Sequence, residues 1–312
     1  MLSAGMTNRA RAFRWALATC AATFAAAAQS PPSFRADTTL VLVPVTVTDP
    51  MNRYVLGLGQ QHFHVMEDGV EQTVASFSNE DAPLSVGFLV DASGSMGTKL
   101  GISRRAVGQF LKSMNPSDEA FLVEFSDRAE VALPFTHEMD RIERKVGTLT
   151  TGGLTAMLDA IHVAFEEMKN AANPRKALLI ISDGGDNHSL YTSSQVEQLV
   201  RESGVQIYAV GVFDPFASLG LLTAAERDGP RLLSELADQT GGRALAAVND
   251  SEVPAVAARI GVELRNQYLL AYSPANRSKD GKYRRLEVKL ERPEALPPLK
   301  ARWRLGYYAP NE

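Results

Sequence analysis

The pattern of hydrophobic and polar positions changes its period twice along the chain. From Thr39 to Thr48 β-branched residues dominate, and the run closes at Asp49-Pro50. Phe63–Glu67 and Glu71–Phe77 alternate on either side of the turn Asp68-Gly69, so residues 38–80 are predicted to form strands. Pro44 lies inside the first run and has no N–H for a ladder, which predicts an edge strand or a bulge there.

Between about 83 and 261 short apolar runs alternate with segments of helical period. The runs are Leu84–Val90, Ala120–Phe125, Ala129–Pro134, Ala177–Ile181, Val205–Val212 and Arg243–Val248. Helical patterns fall at about 101–114, 137–147, 155–170, 192–203, 230–240 and 251–264. Such alternation predicts an α/β fold: a doubly wound, mostly parallel sheet with helices on both faces. Ala120–Phe125 and Ala129–Pro134 are too close for a helical crossover and should form an antiparallel hairpin. The chain then returns to strands at Gln267–Tyr272, Tyr283–Leu290 and Ala301–Tyr308. Neither flank has enough strands for a stable sandwich of its own. The expected organisation is therefore one β-sandwich-like domain built from residues 38–80 and 262–312, with the α/β domain of residues 83–261 inserted between them.

The first residues predict an address rather than a fold. Arg9, Arg11 and Arg14 precede an apolar stretch from Trp15 to Ala28, and no acidic residue occurs before Asp37. Ala26-Ala27-Ala28 supplies small residues for cleavage, so residues 1–28 read as a signal peptide and 29–37 as a linker. Export to the periplasm or the exterior follows as an expectation, with Gln29 as the new N-terminus. Cleavage there would also remove Cys20, the single cysteine, leaving no thiol for catalysis. No later stretch reaches eighteen consecutive apolar residues, so no transmembrane segment is expected.

Composition narrows the chemistry. With 32 basic and 36 acidic residues and no dense Lys/Arg cluster, a dedicated nucleic-acid partner is not expected. One cysteine excludes a Cys-rich zinc or iron–sulfur centre. The informative polar residues lie just beyond predicted strands, where open α/β sheets bind ligands. Leu84–Val90 ends in Asp91-Ala92-Ser93-Gly94-Ser95, and Ala177–Ile181 ends in Ser182-Asp183-Gly184-Gly185-Asp186. Thr150-Thr151-Gly152-Gly153-Leu154-Thr155 lies between them, just before a helix. Two carboxylates and three hydroxyls on one rim form an all-oxygen set, suited to a hard divalent cation: magnesium first, manganese or calcium as alternatives. The natural foreign ligand would be a carboxylate from a partner protein.

Asp91-x-Ser93-x-Ser95, Thr155 after a double glycine and Asp183 after an apolar strand resemble the metal-ion-dependent adhesion site of von Willebrand factor type A domains. The flanks extend the resemblance to bacterial secreted proteins carrying this domain, through the F-x-V-x-E-D-G-x-x-Q pattern at Phe63–Gln72, Leu264-Arg265-Asn266-Gln267-Tyr268 and Gly306-Tyr307-Tyr308. The resemblance implies that Ser93, Ser95 and Thr155 coordinate the ion directly or nearly so, and that Asp91 and Asp183 act directly or through water. It also implies a binding or adhesion module, not an enzyme.

The same residues admit rival readings. A structural or assembly subunit could use the metal only to stabilise its fold. A phosphatase of the haloacid dehalogenase type also ends its first strand in Asp, but needs an acid two residues later to protonate the leaving group; that position is Ser93. A serine hydrolase needs G-x-S-x-G, and the glycine before Ser95 is out of register. Asp186 and Asn187 read as turn residues, with support of the metal ligands from behind as the alternative, and His62 and His64 read as ordinary surface or packing residues.

Overall fold

The structure, a computed structural model, describes residues 40–183, 185–212, 224–246 and 251–311. The expected signal peptide, its cleavage point at Ala28, Cys20 and the linker lie outside the described residues. Thr38–Glu312 forms one compact unit.

Four strands open the described chain: β1 (Val41–Thr48), β2 (Phe63–Glu67), β3 (Val70–Gln72) and β4 (Val74–Ser78). The middle of the chain follows as β5 (Leu84–Asp91), α1 (Leu100–Leu111), β6 (Glu119–Phe125), β7 (Ala129–Thr136), α2 (Met139–Thr148) and α3 (Met157–Met168). Next come β8 (Arg175–Ser182), α4 (Ser193–Glu202), β9 (Gln206–Gly211), α5 (Ala224–Thr240), β10 (Arg243–Ala246) and α6 (Val253–Arg265). The last strands are β11 (Tyr268–Tyr272), β12 (Tyr283–Leu290), β13 (Lys300–Arg302) and β14 (Gly306–Tyr308).

The middle strands form a six-stranded sheet in the order β10-β9-β8-β5-β6-β7. All its pairs are parallel except β6–β7, which is the antiparallel hairpin expected from their spacing. Side chains alternate between two cores. Val86, Phe88 and Val90 of β5 pack with Ala106, Phe110 and Ile260 of α1 and α6 on one face. Leu89, Leu178 and Ile180 pack with Ile161, Phe165 and Leu236 of α3 and α5 on the other. Because both faces are covered, every residue of β5 is buried, and the strand reads as a mostly apolar run that ends in Asp91. Chain order reverses between β5 and β8: one connection from β5 leads to β6, whereas the return from α3 places β8 on its other side. Their carboxyl ends therefore flank the switch-point crevice.

The flanking strands form two further sheets, β13-β1-β11-β4 and β14-β12-β2-β3. They bury a shared cluster that includes Val43, Val45, Val65, Tyr268, Leu270, Tyr272 and Leu286. Two predicted strands are each divided. Glu71–Phe77 breaks at Thr73, because β3 pairs with β2 while β4 pairs with β11. Ala301–Tyr308 breaks at Trp303–Leu305, because β13 pairs with β1 and β14 with β12. A strand that changes sheet keeps its alternating pattern, so period alone does not reveal the crossing. At Pro44 the edge expectation holds locally: β13 pairs only with Thr46–Thr48, so among the described residues β11 is the one strand beside Pro44. The helix expected from 230 starts at Ala224 and runs through Pro230, held by buried Leu233, Leu236 and Ala237.

Helix α6 is tied to both halves of this unit. Its buried Glu263 accepts from Tyr208 Oη of β9 at 3.3 Å and from Tyr54 Oη of the N-terminal flank at 3.4 Å, and pairs with Arg243 of β10 at 3.1 Å. Burial and this carboxylate push the Tyr54 hydroxyl up to about 12. No helix among the described residues is long and apolar enough to cross a membrane.

Candidate metal-binding site

Three loops meet at the β5/β8 crevice. The first leaves β5 at Asp91, which is 0% exposed. Ala92 N donates to Phe125 O at 2.8 Å, holding the loop beside the end of β6. Ser93 N folds back to Asp91 Oδ1 at 2.9 Å, closing a local turn of the type Asp favours. The Ser93 and Ser95 hydroxyls then lie 3.1 Å apart, and fully buried Met96 anchors the turn in the core.

The second loop, residues 150–155, is bonded to the first by backbone alone: Gly152 N to Ala92 O at 2.9 Å, and Gly94 N to Gly153 O at 3.0 Å. Gly153 has φ of +78°, and a Cβ there would lie 2.5 Å from Asp127 Oδ2. Asp127 Oδ1 accepts from Leu154 N at 2.7 Å, so the β6–β7 turn supports this loop from beneath. The N-cap of α3 is Ala156, which has no capping side chain.

The third loop supplies that cap from a distance. Asp186 Oδ1 accepts from Met157 N at 2.8 Å, Leu158 N at 3.2 Å and Ser189 Oγ at 2.5 Å. Asn187 clasps Thr155 in both directions: its Oδ1 accepts from Thr155 N at 2.9 Å, and its N donates to Thr155 O at 3.0 Å. In return, Asp159 Oδ1 of α3 accepts from Leu190 N and Tyr191 N at 2.9 and 3.0 Å. Asp186 and Asn187 do more than shape a turn: their side chains position the Thr155 loop.

Asp91 and Asp183 are linked across the sheet. Ser182 Oγ donates to Asp91 Oδ2 at 2.6 Å, and Asp183 follows directly. Burial pushes the Asp91 carboxyl up to about 6, against the downward pull of the Ser182 and Ser93 bonds; the Asp183 charge adds to the rise. Asp183 Oδ2 accepts from Lys99 Nζ at 3.1 Å. Asp183 Oδ1 is buried and has no hydrogen-bond partner among the described residues. Such an atom carries a desolvation cost until something electropositive reaches it.

The structure thus brings Asp91, Ser93, Ser95, Thr155 and Asp183 onto three interlocked loops. It adds Lys99, Ser182 and Asp127, none of which the sequence marked. Lys99 precedes an amphipathic helix and looks like any solvated lysine, and Ser182 ends an apolar strand. Among the described residues no group of three or more His, Cys, Asp or Glu is arranged to hold a metal, so a cation here would rely on hydroxyls beside two carboxylates. His62 and His64 lie away from the rim; His64 pairs with Glu71 and Glu291. Trp303 Nε1 donates to Leu286 O, and Tyr307 Oη donates to Glu67, so both serve the β sheets.

Residues 86–185 match the sequence profile of the von Willebrand factor type A domain. The magnesium-chelatase 67 kDa subunit of Chlorobaculum tepidum is 29% identical over 172 residues, covering 50% of this chain and 27% of that subunit. An uncharacterized protein of Borreliella burgdorferi is 24% identical over 182 residues, covering 52% of this chain and 53% of its own. The matches thus span about a quarter and about half of these relatives. Among solved structures, a von Willebrand factor type A protein from Catenulispora acidiphila aligns with a TM-score of 0.50 at 12% identity, over 88% of this chain and 74% of that one. That likeness concerns the fold.

Proposed function

This chain carries a von Willebrand factor type A domain, and on that premise we propose that it captures a partner protein through a divalent cation held by Asp91, Ser93, Ser95, Thr155 and Asp183. The observation that carries the reading is Asp183 Oδ1, a buried carboxylate oxygen with no hydrogen-bond partner among the described residues, near enough to the buried Asp91 carboxylate for their charges to interact. Two carboxylates balance a divalent charge, and neutral hydroxyls leave the ion electrophilic. Magnesium is the ion to test first. When bound, it would supply an open coordination position for an Asp or Glu of the partner.

The role of the protein's own groups is to hold and orient. Asp91 and Asp183 provide charge, Ser93 and Ser95 provide oxygen donors from one turn, and the Asp186–Asn187 clasp fixes Thr155. No acid stands two residues after Asp91, since Ser93 is there, which supports binding over phosphoryl chemistry. The arginine-led, alanine-rich N-terminus supports export, so the partner would be met in the periplasm or outside the cell.

The burial of Asp91, Ser93, Thr155 and Asp183 also favours a second reading, in which the ion only stabilises the fold. Calorimetry with magnesium and manganese should show binding by the wild type and almost none by Asp91→Ala or Asp183→Ala. Thr155→Ala should weaken metal-dependent retention of exported proteins on the immobilised chain while barely moving the melting temperature in chelator. If retention is the same in magnesium and in chelator, partner capture through the ion is wrong. N-terminal sequencing of the exported product should begin at or near Gln29, and an intact Met1 on a cytosolic protein overturns export.

A further inference from the structure

The rim contains a cation of its own. Lys99 Nζ lies 3.1 Å from Asp183 Oδ2, and the two side chains are 17% and 9% exposed. An ammonium this withdrawn from water is stable because the carboxylate faces it, and the carboxylate gains equally. The pair uses one of the two Asp183 oxygens; Oδ1 is buried and has no hydrogen-bond partner among the described residues. Asp183 is therefore half neutralised by a tethered charge and half open.

Resting on the metal reading above, we propose that Lys99 sets the cation affinity of this site. It is the counter-charge of Asp183 when no metal is bound, it opposes divalent binding, and it couples that binding to an anionic ligand. The physical reason is charge count in a shielded place. Asp91, Asp183 and Lys99 sum to one negative charge, and a divalent ion added to all three leaves one positive charge over. Two cations sharing one carboxylate repel each other, and partial burial limits the screening that would hide it. A carboxylate arriving from outside cancels the surplus, so ligand and metal each strengthen the other's binding by the same factor. With Lys99 replaced by a neutral residue the loaded site is already neutral, and an anion gains less.

The test uses the full chain with manganese as the metal probe and acetate as the anionic probe. Calorimetry should show Lys99→Met binding manganese at least about tenfold tighter than wild type. Lys99→Arg, which keeps the charge, should stay within about threefold of wild type. In chelator, Lys99→Met should melt several degrees lower, because Asp183 then has no counter-charge. Acetate should tighten manganese binding in wild type more than in Lys99→Met. Equal manganese affinity in wild type and Lys99→Met overturns the role of Lys99 and leaves the metal reading standing. If wild type and both variants bind no manganese at all, the metal reading itself fails.

Discussion

Ser182 Oγ and Asp91 Oδ2 are 2.6 Å apart, a hydrogen bond between the final residues of two adjacent parallel strands. It follows from register: Val90 pairs with Ile181, so the next residue on each strand meets at the crevice. Among the described residues this fully buried carboxylate is held by neutral donors, Ser182 Oγ on one oxygen and Ser93 N on the other. Such an arrangement leaves the charge uncompensated until a cation arrives.

Asp91→Asn should therefore separate stability from binding. In chelator near pH 7.5 the variant should melt higher than wild type, by roughly 1–2 kcal/mol, because a buried charge is replaced by a neutral group of the same shape. In magnesium the order should reverse, since the variant gains nothing from the ion. Thermal melts in both buffers decide it, and a lower melting temperature in chelator would refute the charge-burial argument.

Asp186 caps α3 from another loop, so its removal strands two backbone N–H groups and loosens the Thr155 loop. Asp186→Ala should cost about 1–2 kcal/mol in chemical denaturation. Hydrogen exchange should speed up at Met157 and Leu158 while amides in the centre of β5 keep their relative protection. Uniform loosening across the sheet would contradict a local clasp.

The paired glycines should respond differently. Gly153 is left-handed and would aim a Cβ at Asp127, whereas a Cβ at Gly152 meets nothing within 4 Å. Gly153→Ala should cost about 1–3 kcal/mol and weaken metal binding. Gly152→Ala should stay within about 0.5 kcal/mol of wild type. Equal effects at the two positions would mean that loop geometry is not the constraint.

His64 offers a pH readout away from the rim. Its Nδ1 lies 2.8 Å from Glu71 Oε1 and its Nε2 3.5 Å from Glu291 Oε2, and the Glu71 bond leads in raising its pKa above 6.5. The protonated ring is favoured in the fold, so its contribution is complete below pH 6.5 and fades as pH rises through the folded value. The side chain is 41% exposed, so solvent screening keeps the effect to a few tenths of a kcal/mol. His64→Gln should lower stability slightly at pH 5.5 and not at pH 8.5, and proton NMR should show the ring titrating above 6.5. A ring titrating below 6.5 would rule the pairing out in solution.

Features that depend on neighbours along the chain are legible in the order of residues. The buried centres of β5 and β8 appear as largely apolar runs because helices cover both faces of the sheet. The β6–β7 hairpin was legible because three residues between strands leave no room for a crossover. Asp91, Ser93, Ser95, Thr155 and Asp183 stood out by their positions at strand ends and before a helix. Which distant residues share those positions follows instead from how the strands and loops pack together. Lys99 meets Asp183 across 84 residues, and Asp186 caps a helix that begins 29 residues earlier. The changes of sheet at Thr73 and Trp303–Leu305 likewise depend on which strand lies alongside. Periodicity records the face on which a side chain lies, and the same alternation or the same solvated lysine fits many partners. Strand order selects among them, because it brings β8 beside β5 and so places a lysine, two carboxylates and a pair of hydroxyls around one crevice.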